Sequence, residues 1–305
     1  MPAKLKALDE HIGSIARLCK TYACAIVHGM KSFIFFGTPH VAAETLQALL
    51  TAGFVPSLVV TNPDRPAGRG RVMTPSPVRV LAESHNIPVF MPEKLDDDAQ
   101  VRLAEAQASY AICVAYGKII PERFIVLFPQ GILNIHYSLL PKYRGATPTE
   151  AALLANDAET GVTIQKMVYE LDAGDIIAQE KIAIEPQWTV RELRPKLIEL
   201  GAKMLIITLP QYLAGEIIPQ PQEHSLATRC GKFEKSDGEL TLDEVHAANN
   251  WRKYRAYADT IGTYFFEERA GTMVRIKIIT ATFDGTAFTP LRVIPEGKKE
   301  MDFIR

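Results

Sequence analysis

Met30-Lys-Ser-Phe-Ile-Phe-Phe-Gly37, running into Thr38-Pro39, reads as a buried strand that ends in a tight turn. From Val41 to Leu50 the spacing changes to that of a helix, with Leu46, Leu49 and Leu50 turned inward. The alternation then repeats. Val55 to Thr61 reads as a strand, Pro77 to His85 as a helix and Ile87-Pro-Val-Phe90 as a short strand. A polar helix from Asp96 to Gln107 follows, then a strand from Tyr110 to Ala115 that ends at Tyr116-Gly117. Strands alternating with helices predict an α/β fold, a doubly wound, mostly parallel Rossmann-like sheet. The first turn carries one glycine and a proline in place of G-x-G-x-x-G, so it is not a dinucleotide site.

Further along, Gly131-Ile-Leu-Asn-Ile-His136 reads as another strand of this sheet. Side chains alternate faces along a strand, so Asn134 and His136 share one face while Leu133 and Ile135 take the other. An amide and an imidazole near the carboxyl end of a strand stand where open α/β sheets bind ligands. A bland alternative is a histidine satisfied by backbone, with the asparagine closing the strand. The segment continues as Ser138-Leu-Leu-Pro141 and is answered downstream by Leu171-Asp-Ala-Gly-Asp175.

The 305 residues, 47% hydrophobic and 23% charged, allow one large domain or two smaller ones. A net charge of -1 means that any nucleic-acid partner must be held by a local patch. Cys19, Cys24, Cys113 and Cys230 are scattered, which excludes a disulfide scaffold or a conventional zinc site and fits a reducing cytoplasm. None of the seven histidines has metal-ligand spacing, and no apolar run spans a bilayer. Residues 1–29 read as an atypical extension without a signal peptide's layout, with Met30 as the expected biological start. The catalytic domain is expected over 30–208, and a linker over 209–222 from Pro210, Gly215, Pro219 and Pro221. A smaller β-rich domain of oligonucleotide-binding type, shortened, is expected over 223–305.

One stretch has no place in a core: Thr61-Asn-Pro-Asp-Arg-Pro-Ala-Gly-Arg-Gly-Arg71, continuing to Thr74-Pro-Ser-Pro-Val-Arg79. Arg65, Arg69 and Arg71 stand among glycines and prolines between a strand and a helix. Guanidinium groups suit phosphate, and such a loop could grip structured nucleic acid. Composition alone favours a solvated flexible loop.

Taken together, Phe36-Gly-Thr-Pro39, Pro63-Asp-Arg-Pro-Ala-Gly-Arg-Gly70, Thr74-Pro-Ser-Pro77, Ala115-Tyr-Gly-Lys118, Asn134-Ile-His136, Ser138-Leu-Leu-Pro141, Arg144-Gly-Ala146, Glu159-Thr-Gly-Val-Thr-Ile164 and Leu171-Asp-Ala-Gly-Asp175 resemble the methionyl-tRNA formyltransferases over residues 34 to about 186. The resemblance implies a 10-formyltetrahydrofolate donor, the α-amine of methionine on initiator tRNA as acceptor, and no metal. It implies Asn134, His136 and Asp172 as catalytic residues. Asn134 and His136 would donate to the oxygen that gains charge, and Asp172 would orient His136 and help to take the amine proton. By the same resemblance Ser138, Leu139, Leu140 and Pro141 hold the folate, alongside Tyr116, Gly117 and Ile119. Arg65, Arg69, Arg71 and Arg144 face the tRNA. The enzyme is expected to be a cytoplasmic monomer.

Departures from the family pattern are visible too. Arg144-Gly-Ala-Thr-Pro-Thr149 places hydroxyls on Thr147 and Thr149, expected near the site entrance. Arg229-Cys-Gly-Lys-Phe233 is an unusual continuation, and only a short turn fits between Thr282 and Leu291. Arg252, Lys253, Arg255, Lys298 and Lys299 could follow a tRNA backbone or simply face solvent. The rival functions are a formyltransferase for a small amine, such as glycinamide ribonucleotide or an amino sugar, and a tRNA-binding protein without catalysis.

Overall fold

The computed structural model describes residues 32–67, 70–269 and 271–304. The extension expected over residues 1–29, with Cys19 and Cys24, lies outside the described residues, as does Arg69. The described residues divide into two compact units, one comprising those up to 141 with 162–180 and 198–225, the other 142–161, 181–197 and those from 226 on. Residues 142–161 and 181–197, expected within a catalytic domain over 30–208, therefore group with the C-terminal part of the chain.

In order, the first elements are β1 (Phe33–Gly37), α1 (His40–Thr51), β2 (Leu58–Val60), β3 (Arg65–Ala67), β4 (Val72–Thr74), α2 (Pro77–Ser84), β5 (Val89–Phe90), α3 (Asp97–Glu105), β6 (Tyr110–Val114), α4 (Glu122–Ile125) and β7 (Ile132–His136). There follow β8 (Arg144–Gly145), α5 (Pro148–Ala155), β9 (Glu159–Lys166), β10 (Ile176–Ala183) and α6 (Val190–Leu213). Seven strands form one sheet in the order β10-β9-β7-β6-β1-β2-β5. The pairs from β5 to β7 are parallel, and β9 runs antiparallel to β7. The sheet is therefore mostly parallel, as periodicity predicts. Its central strands are buried throughout, which is why β1 and β6 read as unbroken apolar runs. Strand order reverses between β1 and β6, the switch point where ligands bind in such folds. One face of the sheet buries Ile34, Phe36, Val60, Cys113 and Ile132 together. On α1, Leu46 and Leu49 are fully buried, whereas Leu50 is only half-buried.

Of the linker expected over 209–222, residues 209–213 are helical, because α6 continues through Pro210 to Leu213. Pro210 forfeits one backbone hydrogen bond, but Leu205, Ile206 and Leu209 beside it are buried, and that burial holds the helix. Beyond Leu213 the helix is closed off by Gly215, whose φ is 76° and whose N–H donates to the Tyr212 carbonyl at 3.0 Å.

The second unit contains β11 (Arg229–Cys230), α7 (Ala247–Tyr257) and the strands β12 (Thr263–Arg269), β13 (Thr272–Phe283), β14 (Phe288–Pro295) and β15 (Met301–Asp302). The last four form an antiparallel sheet in chain order, with an isolated parallel bridge from Glu239 to Tyr264 at its edge. Among the described residues the β-rich domain is thus an open four-stranded meander, shorter than a five-stranded oligonucleotide-binding barrel. The turn from Phe283 to Phe288 is as tight as the sequence requires, with Asp284 accepting from the N–H groups of Thr286 and Ala287. Tyr254, Phe265, Ile276, Ile278 and Val293 form this unit's core.

Candidate functional site

On β7, Ile132, Asn134 and His136 occupy one face, so the two polar residues extend a row that begins in the apolar core. His136 is buried, and Asn134 is half-buried with no side-chain hydrogen bond among the described residues. The antiparallel register sets Gln165 opposite Asn134 and Thr163 opposite His136. Between β9 and β10 the chain turns at Asp172, which adopts a left-handed φ of 51°. That turn brings Asp172 Oδ2 to 3.6 Å from His136 Nδ1, with both side chains largely removed from water. The predicted triad of Asn134, His136 and Asp172 is therefore drawn together from a strand and a distant turn.

The Asp172 loop is held by glutamines. Gln165 Nε2 donates to Asp172 Oδ1 at 3.0 Å, and the Gly174 N–H donates to Gln165 Oε1 at 3.2 Å. Gln222 Nε2 donates to the carbonyls of Asp172 and Gly174 at 2.9 and 2.6 Å. Gly174 is obligatory here, since a Cβ would fall 1.8 Å from the Lys166 carbonyl oxygen. Sequence reading missed both glutamines. Gln165 shares a face with Thr163 by simple alternation, but only the β7–β9 register reveals which residues they oppose.

Ser138 to Pro141 is fixed from beneath. Thr163 Oγ1 donates to the Ser138 carbonyl at 2.7 Å and accepts from the Leu140 N–H at 3.1 Å. Gln179 Nε2 donates to Thr163 Oγ1 and to the Leu140 carbonyl. Ser138 and Leu140 are buried anchors, while Leu139 and Pro141 remain half-exposed. The Leu140–Pro141 peptide bond is cis.

At the switch point, Thr38 Oγ1 and Asn62 Nδ2 both donate to the Tyr116 carbonyl, at 3.1 and 2.9 Å. Expected as a site wall, Tyr116 instead turns its ring into the core, edge-on to Phe36. What remains at the surface is backbone: Ala115 and Gly117 have φ of 46° and 82°, Gly117 is exposed, and Ile119 is 78% exposed. Cys113 lies beside Asn134 in register, and burial pushes its thiol up to about 12.

The described parts of the arginine-rich segment form two paired antiparallel strands. β3 and β4 pair from Arg65–Thr74 to Ala67–Val72, with Arg65 and Arg71 exposed. Its base is tied twice. Thr61 Oγ1 and Ser76 Oγ share a buried hydrogen bond of 2.8 Å, and Arg79 Nη1 meets Asp64 Oδ2 at 2.7 Å. Ser76 also caps α2, ahead of Pro77 at its first turn.

In the second unit, several expected surface groups are structural. Arg144 is only 3% exposed and pairs backbone with Arg229 across β8 and β11, which does not match a guanidinium offered to phosphate. The Thr147 hydroxyl donates to the Gly231 carbonyl at 2.6 Å and Thr149 is buried, so neither stands free at an entrance. The unusual Arg229 to Phe233 stretch is explained here. Cys230 lies against Gly145, where a Cβ would fall 2.0 Å from the Cys230 carbonyl oxygen, and Phe233 packs on Tyr257. Arg255 is buried and donates to the carbonyls of Trp188 and Glu185 and to Asn156 Oδ1.

Among the described residues no cluster of His, Cys, Asp or Glu could hold a metal ion, and no helix is long and apolar enough to cross a membrane. The formyl transferase family matches residues 30–209. A methionyl-tRNA formyltransferase of Chloroflexus aurantiacus is 41% identical over 254 residues, covering 83% of this chain and 81% of that protein. A methionyl-tRNA formyltransferase of Halalkalibacterium halodurans is 35% identical over 296 residues, covering 89% and 93%. A crystal structure of an N-formyltransferase from Helicobacter canadensis, in complex with folinic acid and dTDP-3-aminofucose, aligns with a TM-score of 0.61 at 19% identity, covering 84% of this chain and 90% of that one. At that identity the likeness is one of fold.

Proposed function

This chain belongs to the methionyl-tRNA formyltransferase family, and we propose that it transfers a formyl group from 10-formyltetrahydrofolate to the α-amine of methionyl initiator tRNA, as a cytoplasmic monomer serving translation initiation. The observation that carries this reading is the shared face of Asn134 and His136, with the Asp172 carboxylate 3.6 Å from His136 Nδ1.

In the transfer, the amine nitrogen bonds to the formyl carbon and the bond from that carbon to N10 of the folate breaks. The amine gives up a proton, and the folate nitrogen takes one. Negative charge gathers on the formyl oxygen, and the unoccupied Asn134 amide is a ready donor for it. His136 supplies the second donor. Asp172 faces its Nδ1 and orients the ring. The His136–Asp172 separation exceeds hydrogen-bond length, and such catalytic contacts tighten in the reactive complex. The Asp172 carboxylate and the buried imidazole together give the amine proton a place to go.

The residues at the strand ends fit a folate. Exposed Gly117 and Ile119 and half-exposed Leu139 and Pro141 offer apolar surface and open backbone for a flat ring. A Cβ on Gly117 would have only Asn62 within 4 Å, at 3.6 Å, so the backbone there is approachable. Arg65 and Arg71, with Arg69 from the same stretch, supply the local positive charge that a net charge of -1 does not.

The test is formyl transfer to methionyl initiator tRNA, run beside elongator methionyl-tRNA. Transfer to the initiator and loss of turnover in His136→Ala with tRNA binding retained are expected. Transfer to glycinamide ribonucleotide or an amino sugar, with neither tRNA formylated, would overturn the proposal. Replacing Arg65 and Arg71 should weaken tRNA formylation and flatten its salt dependence by about one unit of slope for each phosphate no longer neutralised.

A further inference from the structure

We propose that Gln165 is a positioning residue that sets the rotation of the Asp172 carboxylate, an inference that rests on the formyl-transfer reading. Gln165 is 1% exposed, and its amide bridges two fixed points. The Gly174 N–H can only donate, so the Gln165 oxygen must face it, and the NH2 group must face Asp172 Oδ1. The network therefore determines the amide's orientation. With Oδ1 held at 3.0 Å, the carboxylate plane is fixed and Oδ2 is directed at His136 Nδ1.

A glutamine suits this role better than a cation would. It orients the carboxylate with a neutral donor and leaves the negative charge for the imidazolium and the departing proton. Gln222 does a different job, because it donates to the carbonyls of Asp172 and Gly174. It pins a left-handed backbone that Asp172 does not favour by itself. Removing Gln165 thus takes away the donor to Oδ1 and the acceptor for the Gly174 N–H, while Gln222 still tethers the carbonyls of Asp172 and Gly174.

The experiment compares wild type, Gln165→Leu, Gln165→Glu, Asp172→Asn and the Gln165→Leu/Asp172→Asn double variant, each by kcat, both KM values and thermal unfolding. Loss of a hydrogen bond to a charged group predicts a fall in kcat of about 10- to 100-fold for Gln165→Leu, with KM values within about twofold. Gln165→Glu retains an acceptor for the Gly174 N–H but sets like charge against Asp172, and its kcat falls at least as far. In the Asp172→Asn background, Gln165→Leu should cost nothing further, because it acts through that carboxylate. Native kcat in either Gln165 single variant, or an equal loss in both backgrounds, would overturn the proposal. If wild type transfers no formyl group, the functional reading fails. A crystal structure of Gln165→Leu judges positioning separately: a carboxylate turned from His136 supports it, and an unmoved one overturns it.

Discussion

Gly174→Ala should disable the site from a position that bears no functional group. The new Cβ would meet the Lys166 carbonyl oxygen at 1.8 Å and its carbon at 2.9 Å. Both belong to the backbone of β9, which is paired to β7 and cannot yield cheaply. Ordinary contact begins at 3.4 Å, so the loop must retreat by about 1.6 Å. That retreat draws Asp172 away from His136. A displacement of about 1 Å from a productive arrangement can cost about 100-fold in rate, so kcat should fall by at least that factor. The hydrogen bonds that join Gly174 to Gln165 and Gln222 break as well. At about 1 kcal/mol each, they amount to about 2 kcal/mol of stability. For a domain of this size that lowers Tm by roughly 4 to 8 °C. Single-turnover formylation of methionyl initiator tRNA, with thermal unfolding of the same preparation, measures both. A variant with kcat within about threefold of wild type would refute the claim that the Asp172 loop must sit where it does.

Three other outcomes follow from the same geometry. Asp64→Ala removes the ion pair that ties the arginine-rich segment to Arg79, and should weaken tRNA binding in a filter assay while leaving the folate KM unchanged; unchanged tRNA affinity would show that the tie is dispensable. The Tyr116 hydroxyl is buried without a hydrogen-bond partner among the described residues, so Tyr116→Phe should be neutral or stabilising by about 1 kcal/mol in urea unfolding, and a clear destabilisation would count against that accounting. Burial raises the Cys113 thiol from its ordinary 9.0 to about 12, so the stabilisation is full below pH 9 and is lost as pH rises towards 12; unfolding free energy should decline over that window more steeply in wild type than in Cys113→Ala.

Much of the first unit was legible because local signals and tertiary packing agree. Alternating apolar runs and helical spacing mark β1, α1, β6 and β7 to within a residue or two. The shared face of Asn134 and His136 follows from strand alternation, whereas Asp172 is reached only through the family resemblance. The supports were not legible. Gln165 and Thr163 acquire their roles from an antiparallel register, and Gln222 meets Asp172 across 50 residues of chain. Arg144 is expected to face the tRNA by the family resemblance, and Arg255 to follow a tRNA backbone or face solvent, yet both are buried. Arg255 is buried because distant carbonyls at Glu185 and Trp188 receive its protons. Pro210 reads as a break, yet apolar burial on α6 outweighs one missing hydrogen bond.

Gln222 has a bearing on where this protein can be cut. The stretch matched by the family ends at residue 209, inside α6, and a fragment trimmed there would retain every strand of the seven-stranded sheet together with Asn134, His136 and Asp172. It would lack the side chain that holds the Asp172 turn, and also the mutual backbone hydrogen bonds of Ile176 and Gln220. The smallest self-sufficient catalytic fragment therefore extends past residue 222. During synthesis, the site is complete only once that late segment has emerged and folded back.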